Sequence, residues 1–486
     1  MNKFLKGLNQ ETNFAYTENA ALARQTTNSA VLDFFAQGGA LRHRDEEEVR
    51  RLFDKAYCED KLLSLKALFY FRDVRGGQGE RNSSRILWKF LADLDSKTMK
   101  KNLIHVPFYG RWDDMYAFVN TKLEKDAFQI MKLQFADDLN EEHPSLLGKW
   151  LKSENTSSKQ SVALAKKTRK YLNFSSKDYR YFLSTLRKRI NIVERLMCSN
   201  QWEDIEYNKV PSNAGFKYSK AFGKHDGARY QAYIQAVKEG KEKINVNVLY
   251  PYEIIRSIFD HAGQMSEDVL DAMWNNLPDY TGGSDENSLC VVDTSGSMAG
   301  LPICVSVSLG IYCGERAKGP YKDHFITFSM HPKLQKIQGS TIVKKAQNLY
   351  RADWDGNTDI EAVFDLILKV ALQNKLRQKE MVDKLYIISD MEFDEAVTSR
   401  NWKKQTLFEG IGDKYQSHGY KLPKLVFWNV DARNEQFPMS MDERGFQLVS
   451  GCSPSIFKNL MQDKFLTAYD LMLDVLNSER YERIMI

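Results

Sequence analysis

The chain has 486 residues, of which 43% are hydrophobic and 27% are charged, with 27 glycines, 11 prolines and six cysteines. This composition is ordinary for globular proteins and excludes extended disorder, fibrous chains and a disulfide-rich scaffold. The formal net charge is only +5, which excludes a protein that is basic over its whole surface. The length predicts two to four domains, or one domain plus a large array of repeats.

The sequence also indicates a cellular location. Its cysteines form no CxxC pair, so we expect neither a zinc thiolate site nor structural disulfides, and a reducing, cytoplasmic location is favoured. Residues 1–14 contain no apolar core of signal-peptide length. No stretch approaches the ~18 apolar residues of a membrane span, so no membrane segment is expected. We expect a monomer.

From residue 16 to about 280 the apolar residues follow a helical spacing. Leu183, Leu186, Ile190 and Val193 recur at steps of three and four, with arginines and lysines off that stripe. Similar stretches occupy 45–70, 84–97, 112–136, 228–239 and 250–274. We find no alternating strand pattern in this half. The sequence therefore predicts an N-terminal α-helical module, residues 1–280, built as a solenoid or ring of HEAT-like repeats. Because no strict repeat period is visible, a plain all-α module is the alternative.

Two glycine-containing turns in this module are interpreted as structural. The sequence RDVRGGQGER (72–81) lacks the GK[ST] of a phosphate loop and follows no strand. A helix end and turn is therefore favoured, where Arg72, Arg75 and Arg81 could present charge. The sequence YGRWDD (109–114) is interpreted as a turn into a helix, because an aspartate is favourable at a helix N-terminus.

Residues 151–250 carry a local excess of positive charge. They contain 20 lysines and arginines against 9 aspartates and glutamates, a net +11, while the rest of the chain sums to −6. Between 201 and 231, basic residues alternate with aromatic ones, which suits a nucleic-acid groove where cations meet phosphates and rings stack on bases. The alternative, with aromatics in the core and lysines in water, stays open. The candidate RNA-binding residues are Lys166, Lys167, Arg169, Lys170, Arg180, Arg187, Lys188, Arg189, Lys209, Lys217, Lys220, Lys224, His225 and Arg229.

A break rich in glycine, serine and aspartate at 281–288, TGGSDENS, is interpreted as a linker. After it, short apolar runs alternate with helices. Strands are predicted at 289–292, 324–328, 384–389, 425–430 and 446–449, and helices at 301–317 and 359–373. Continuous apolar strands separated by helices predict a doubly wound α/β domain over 289–486, with a parallel sheet covered on both faces.

Several oxygen-bearing side chains are predicted to meet at one edge of this sheet. The run DTSGS (293–297) follows the first strand, and ligands of doubly wound sheets bind at the carboxyl ends of strands. Two carboxylates and three hydroxyls of low total charge suit Mg²⁺ or another divalent cation. Because few carboxylates offset its charge, the cation could also bind an acidic group of a partner. The alternative is a serine-capped turn without metal. The candidate metal ligands are Asp293, Ser295, Ser297, Thr358 and Asp390.

This arrangement resembles the metal-ion-dependent adhesion site of von Willebrand factor A domains, whose pattern is DxSxS, then a threonine, then an aspartate. The whole chain resembles an uncharacterised family of Ro-like proteins of plants, fungi, phages and large DNA viruses, which pair a TROVE-type helical-repeat module with a von Willebrand A domain. The resemblance implies binding of small or misfolded RNA within a ribonucleoprotein. The motifs that carry it include TENA (17–20), RDVRGGQGER (72–81), YGRWDD (109–114), KAFGKHD (220–226), DTSGSM (293–298) and SDMEFDEA (389–396).

Three classes of function were weighed. We expect a non-enzymatic RNA-binding protein of Ro-like architecture, whose A domain contacts a protein partner through Mg²⁺. The alternative is a Mg²⁺-dependent protein-interaction scaffold whose A domain captures an acidic residue of its partner. An enzyme, and hence a catalytic residue, is not expected, because the sequence contains no HExxH, G-x-S-x-G or Walker motif.

Overall fold

The computed structural model describes residues 12–260, 265–281, 286–329, 331–351, 359–394, 406–460 and 467–486. The chain forms two compact units. The sheet unit comprises residues 1–67 and 249–478, and the helical unit comprises residues 68–248 and 479–486. The division into 1–280, a linker at 281–288 and 289–486 stays a prediction, and residues 282–285 lie outside the described part.

The helical unit contains helices and turns but no strand in its residues, all of which are described. Helix Lys61–Arg72 leads into it along the chain. This confirms the helix-rich character predicted for the first half. Its helices are Asn82–Leu94, Ser96–Asn102, Val106–Tyr109, Glu124–Asn140, Leu147–Trp150, Lys159–Leu172, Ser176–Arg189, Val193–Cys198, Ser212–His225 and Gly227–Lys238, with 3-10 turns at Leu103–His105, Trp112–Phe118, Trp202–Asp204, Tyr207–Lys209 and Glu479–Tyr481.

Local sequence signals set the ends of the helices that carry most of the positive charge. Ser158 precedes helix Lys159–Leu172, and its hydroxyl accepts a hydrogen bond from the backbone of the first turn. Asn173 ends that helix in the left-handed region, with φ 59°. Ser175 then caps the next helix, Ser176–Arg189, in the same way. Serine N-caps and an asparagine C-cap satisfy main-chain groups that a helix leaves unpaired, so the short connection is specified locally.

The sheet unit contains a six-stranded sheet and a short hairpin. The hairpin pairs β1 (Ala15–Tyr16) with β2 (Leu22–Ala23). No strand was predicted there, because two-residue strands are too short to show alternation. The sheet strands are β3 (Ser288–Val292), β4 (His324–Thr327), β5 (Leu334–Lys336), β6 (Lys384–Ser389), β7 (Lys424–Asn429) and β8 (Phe446–Ser450). They lie in the order β5-β4-β3-β6-β7-β8, and only β5 runs antiparallel to its neighbour among these described strands.

Five of the six sheet strands lie where the apolar runs predicted them. Every residue of β6 is buried, as expected for a central parallel strand. The edge strand β5 was missed, since it has only three residues and its Leu334 is exposed. Within the described residues, no helix is both long and apolar enough to cross a membrane.

Some helices of the sheet unit, from Leu301–Arg316 to Leu407–Ser417, lie between the parallel strands along the chain, and the others precede β3 or follow β8. The strand order reverses between β3 and β6. A sheet of parallel strands with helices between them agrees with the α/β class predicted for this half of the chain. The helices are Ala30–Gly38, Glu46–Glu59, Pro251–Asp260, Glu267–Asn275, Leu301–Arg316, Ile342–Tyr350, Ile360–Gln373, Leu407–Ser417, Phe457–Leu460 and Ala468–Leu476.

Helix Leu301–Arg316 fixes the position of the turn after β3. It is apolar on nearly all sides and is buried from Cys304 to Gly314, as expected for a helix inside the core. At Gly310 it approaches the sheet so closely that an added Cβ would lie 2.6 Å from Cγ2 of Val292. The helix and the strand therefore hold the ends of the intervening turn, residues 293–300, at fixed positions.

The N-terminal residues of the described chain pack beside the end of β6. Thr17 donates its hydroxyl hydrogen to the carbonyl oxygen of Phe393 at 2.6 Å. Glu18 donates its backbone N–H to Oε2 of Glu392 at 2.7 Å, and Asn19 donates its side-chain N–H to the carbonyl oxygen of Glu392 at 2.8 Å. Residues far apart in the sequence thus build one edge of the sheet unit together.

Candidate functional site

Two of the predicted metal ligands follow neighbouring strands. Asp293 comes directly after β3 and Asp390 directly after β6. These strands pair in parallel, with Val292 opposite Ile388, so both aspartates emerge at the carboxyl edge. The strand order reverses here, with β4 on one side and β7 on the other. In open α/β sheets this reversal creates the crevice in which ligands bind.

The side chain of Asp293 is fully buried and fixed by two hydrogen bonds. Its Oδ1 accepts the backbone N–H of Ser295 at 2.9 Å, and its Oδ2 accepts the hydroxyl of Ser389 at 2.6 Å. The same Ser389 hydroxyl lies 3.4 Å from Oδ1 of Asp390. Ser389 therefore links the two aspartates, a role that the sequence analysis did not foresee.

The two predicted serine hydroxyls converge on the solvent side of Asp293. Oγ of Ser295 and Oγ of Ser297 lie 2.9 Å apart, and Ser297 is exposed in the 3-10 turn Gly296–Met298. The hydroxyl of Thr294 is buried and has no hydrogen-bond partner among the described residues. Thr358 lies outside the described residues. The structure therefore brings together four of the five predicted ligands.

The electrostatics of the crevice favour a cation. Burial, and after it the negative charge of Asp390, raises the pKa of Asp293 to about 7. One guanidinium partly compensates these carboxylates, since Nη2 of Arg433 lies 2.6 Å from Oδ2 of Asp390 and 3.4 Å from Oε2 of Glu18. Asp293 itself receives hydrogen bonds but contacts no cationic side chain in the described part of the chain.

The donors at this edge fit a hard divalent cation. Their ligand atoms are carboxylate and hydroxyl oxygens, the type that Mg²⁺ prefers. Within the described ranges no three His, Cys, Asp or Glu side chains cluster as a metal set, so the serine hydroxyls and water would have to supplement the carboxylates. Asp293, Asp390, Ser295 and Ser297 are the residues that would hold the ion.

A second set of polar residues supports this edge and was missed from the sequence. Glu392 is buried, and burial raises its pKa. It accepts hydrogen bonds from the side chains of Gln436 at 2.6 Å and Asn434 at 3.0 Å. Arg433, Asn434 and Gln436 all follow β7, the strand next to β6, whereas Glu392 follows β6 itself. Their proximity depends on the order of the strands, which no local pattern displays.

The predicted RNA-binding residues divide into two groups in the helical unit. Five are exposed lysines that make no hydrogen bond or ion pair within the described chain; we call them the free lysines. They lie on helices Lys159–Leu172, Ser176–Arg189 and Ser212–His225, so their charges face solvent. The free lysines are Lys166, Lys170, Lys188, Lys220 and Lys224.

Most of the other predicted RNA-binding residues have partners within the protein. Arg187 is half-buried and donates to the carbonyl oxygens of Gly148 and Leu151 and to the hydroxyl of Ser153. Its contacts show that it joins two segments of the helical unit. Further pairs are Lys167 with Glu124, Arg169 with Glu154, Lys209 with Glu206, Arg229 with Asp226, Arg180 with the Ser176 carbonyl, Arg189 with the Leu139 carbonyl, and Lys217 over the Tyr218 ring.

Three of the six Phe, Trp and Tyr residues of 201–231 lie in the core. Tyr207, Phe222 and Tyr230 are buried, and the ring of Tyr207 lies 5.3 Å from that of Phe222 and 4.9 Å from that of Tyr230. For these three the core interpretation is therefore correct. His225 is exposed and stacks on Trp202, with ring centroids 4.5 Å apart, so this pair remains as an accessible aromatic surface.

Comparison with known proteins covers nearly the whole chain. Residues 17–173 and 148–280 match the model of a domain of unknown function, DUF2828, and residues 287–482 match that of another, DUF7788. A protein of Acanthamoeba polyphaga mimivirus named Uncharacterized protein L728 is 29% identical over 506 residues, which cover 96% of this chain and 87% of the viral protein. The chain therefore belongs to the DUF2828 family and has a relative in a large DNA virus.

Proposed function

We propose that this chain is a non-enzymatic RNA-binding protein of Ro-like architecture. In this proposal the helical unit is a TROVE-type module that binds RNA through the free lysines. The sheet unit is a von Willebrand A-type domain that holds Mg²⁺ and contacts a protein partner. The observation that carries the RNA proposal is that five exposed lysines of the helical unit have no counter-charge in the described chain, although most of the other predicted basic residues there have partners.

The spacing of the free lysines supports an anionic ligand. Lys166 and Lys170 are four residues apart on one helix, and Lys220 and Lys224 are four residues apart on another. Residues with this spacing are neighbours on a helix surface, and like charges there destabilise the helix by a few tenths of a kcal/mol. Phosphate groups would remove this repulsion, and their condensed counterions would be released on binding.

The geometry of the sheet unit supports the A-type domain. The support comes from the strand order, the antiparallel edge strand β5 and the position of Asp293, Ser295 and Asp390 at the switch point. A bound Mg²⁺ would supply an electrophilic position for a carboxylate oxygen of a partner. Asp293 and Asp390 would offset part of its charge, Ser295 and Ser297 would add weak neutral ligands, and the ion pair with Arg433 would hold Asp390 in place.

The convergent serine hydroxyls favour a second candidate, a protein-interaction scaffold in which RNA has no part. They lie at the solvent side of the crevice, where a partner side chain can approach. The two candidates differ in one measurable property. A scaffold captures its partner only with Asp293 intact and binds RNA no better than a neutral protein does.

The salt dependence of RNA binding tests the proposal. If five lysines neutralise five phosphates, a plot of log affinity against log salt concentration for the full chain should have a slope of about −3.5 for a single-stranded RNA or about −4.5 for a duplex. Fluorescence anisotropy with a labelled RNA of each kind, between about 50 and 200 mM salt, measures it. A flat plot, or no binding at the lowest salt, would contradict the proposal.

A further inference from the structure

The two glycine-containing motifs that were interpreted as turns meet inside the helical unit. Arg72 and Asp114 are both buried, and Nε of Arg72 donates to Oδ2 of Asp114 at 2.9 Å. Arg85 donates through Nε to Oδ1 of the same carboxylate at 2.6 Å. Gly110 permits this approach, because an added Cβ would collide with Asp114. The motifs therefore form one structure instead of two separate turns.

A second carboxylate in the same cluster is shared by two arginines. Oδ2 of Asp113 lies 2.5 Å from Nη2 of Arg81 and 2.9 Å from Nη2 of Arg85. The Asp113 side chain is almost fully buried, whereas that of Arg81 is 46% exposed. Arg81 thus forms an ion pair with Asp113, while part of its side chain stays exposed to solvent.

Two further cations in the cluster have no carboxylate partner in the described chain. The guanidinium of Arg111 lies over the ring of Trp150, 4.9 Å from the centroid, and the ammonium of Lys152 lies 5.6 Å from the centroid of Tyr116. Both Arg111 and Lys152 are half-buried. A half-buried charge that contacts only an aromatic face retains unused hydrogen-bond donors, which is costly unless a ligand or water supplies acceptors.

The pKa shifts agree with an excess of positive charge. Burial lowers the pKa of Arg111, and the charges of Arg72 and Arg81 lower it further. Burial alone would raise the pKa of Asp113, but Arg85, Arg81 and Lys152 outweigh it, so the pKa lies below its usual range. Together, four arginines and one lysine surround two carboxylates in these contacts.

We propose that Arg81, Arg111 and Lys152 form a binding site for a phosphate group, with the ring of Trp150 beside it. The planar guanidinium of Arg111 can donate two parallel hydrogen bonds to phosphate oxygens. Arg81, whose side chain is 46% exposed, and the half-buried Lys152 add positive charge. Arg72 and Arg85 both form hydrogen bonds with the Asp114 carboxylate. We therefore assign them a positioning role, without direct contact with the ligand.

This site consists of residues other than the free lysines, and its ligand has two sources to distinguish. A phosphate group can belong to a free nucleoside monophosphate or to an RNA chain. Four probes distinguish them: adenosine 5′-monophosphate, adenosine, and a short single-stranded RNA with either a 5′-phosphate or a 5′-hydroxyl. Binding of each to the full chain is measured by calorimetry or anisotropy.

Arg111→Gln is the test variant, and Arg75→Gln is the matched control. Arg111 has no carboxylate partner in the described chain, so its replacement leaves no buried acid unpaired. Arg75 lies in the neighbouring RDVRGGQGER motif but is exposed and donates to the carbonyl oxygen of Phe108. We expect Arg111→Gln to weaken binding of the phosphate-bearing probe about tenfold, with Arg75→Gln unchanged. Lys152→Gln should weaken it in the same direction and serves if Arg111→Gln fails to fold.

The pattern of binding losses shows whether the phosphate group is terminal or internal, and it tests the phosphate site independently of the free lysines. A loss for the monophosphate and the 5′-phosphorylated RNA assigns the site to a terminal phosphate, and an equal loss for both RNAs assigns it to internal phosphates. If folded Arg111→Gln and Lys152→Gln bind all probes as the wild type does, the phosphate site is overturned. That result leaves RNA binding by the free lysines untouched, because those are tested by their own variant.

Discussion

Charge reversal of the five free lysines should lower the affinity of the full chain for RNA by about a hundredfold or more near physiological salt. Each reversed lysine removes one phosphate contact and adds a repulsive charge, and phosphate contacts supply most of the affinity of such surfaces. The same variant should flatten the salt dependence, by about 3.5 in slope for single-stranded RNA if all five contacts are lost. Anisotropy titrations at several salt concentrations measure both effects.

A control with the same change in net charge separates the surface from the overall charge. It carries five lysine-to-glutamate changes on exposed residues of the sheet unit: Lys322, Lys336, Lys344, Lys375 and Lys379. We expect this control to bind RNA with an affinity close to that of the wild type. Equal losses in both variants would show that net charge, and not the helical surface, determines the binding. Circular dichroism confirms that each variant is folded.

Asp293→Asn should abolish stabilisation of the protein by Mg²⁺. A ligand that binds the native state at about a hundred times its Kd stabilises it by about 2.7 kcal/mol, and this gain requires the charge of Asp293. In the absence of Mg²⁺ the variant should be at least as stable as the wild type. The reason is that burial and the nearby charge of Asp390 both disfavour the ionised side chain, as its pKa of about 7 indicates.

The control for Asp293→Asn is Asp383→Asn. Asp383 is exposed and precedes β6, at the opposite edge of the sheet. Thermal unfolding with and without Mg²⁺, and titration with Mn²⁺ as a paramagnetic substitute, compare the variants. An undiminished response of Asp293→Asn to both ions would contradict the metal site. RNA affinity should not change in either variant, because the proposed RNA-binding surface lies in the helical unit.

The apolar runs predicted the sheet because burial on both faces leaves a continuous signal. The run KLYIIS predicted β6 with its observed bounds, and every residue in it is buried. The edge strand β5 carries no such signal, since Leu334 is exposed and the strand is paired on one side. The order of the strands comes from packing between distant segments, and therefore was not predicted.

The sequence predicted those residues of the candidate site that directly follow the end of a strand. Asp293 and Asp390 each end an apolar run, and the parallel sheet brings them together. Arg433 also follows a strand, but its contact with Asp390 depends on β7 lying next to β6. Glu18 approaches Arg433 from the other end of the sequence, a contact that local patterns do not reveal.

The basic segment shows a different reason for incomplete prediction. Composition identified its excess charge but not which cations are already paired. Arg187 and Lys188 are adjacent in sequence, yet Arg187 binds main-chain carbonyls whereas Lys188 is free. Arg72 and Arg81 of the RDVRGGQGER motif likewise acquire their roles only through their contacts with Asp114 and Asp113. Tertiary contacts, and not residue type, determine whether each basic side chain is paired within the protein or left free.

Cross-linking of the full chain to RNA in cells, followed by mapping of the cross-linked peptides and sequencing of the RNA, tests the central claim most directly. The account predicts recovered RNA and cross-links within residues 159–238, which contain the free lysines and the exposed His225. Absence of RNA, or cross-links confined to the sheet unit, would contradict RNA binding by the helical unit and favour the protein-interaction scaffold.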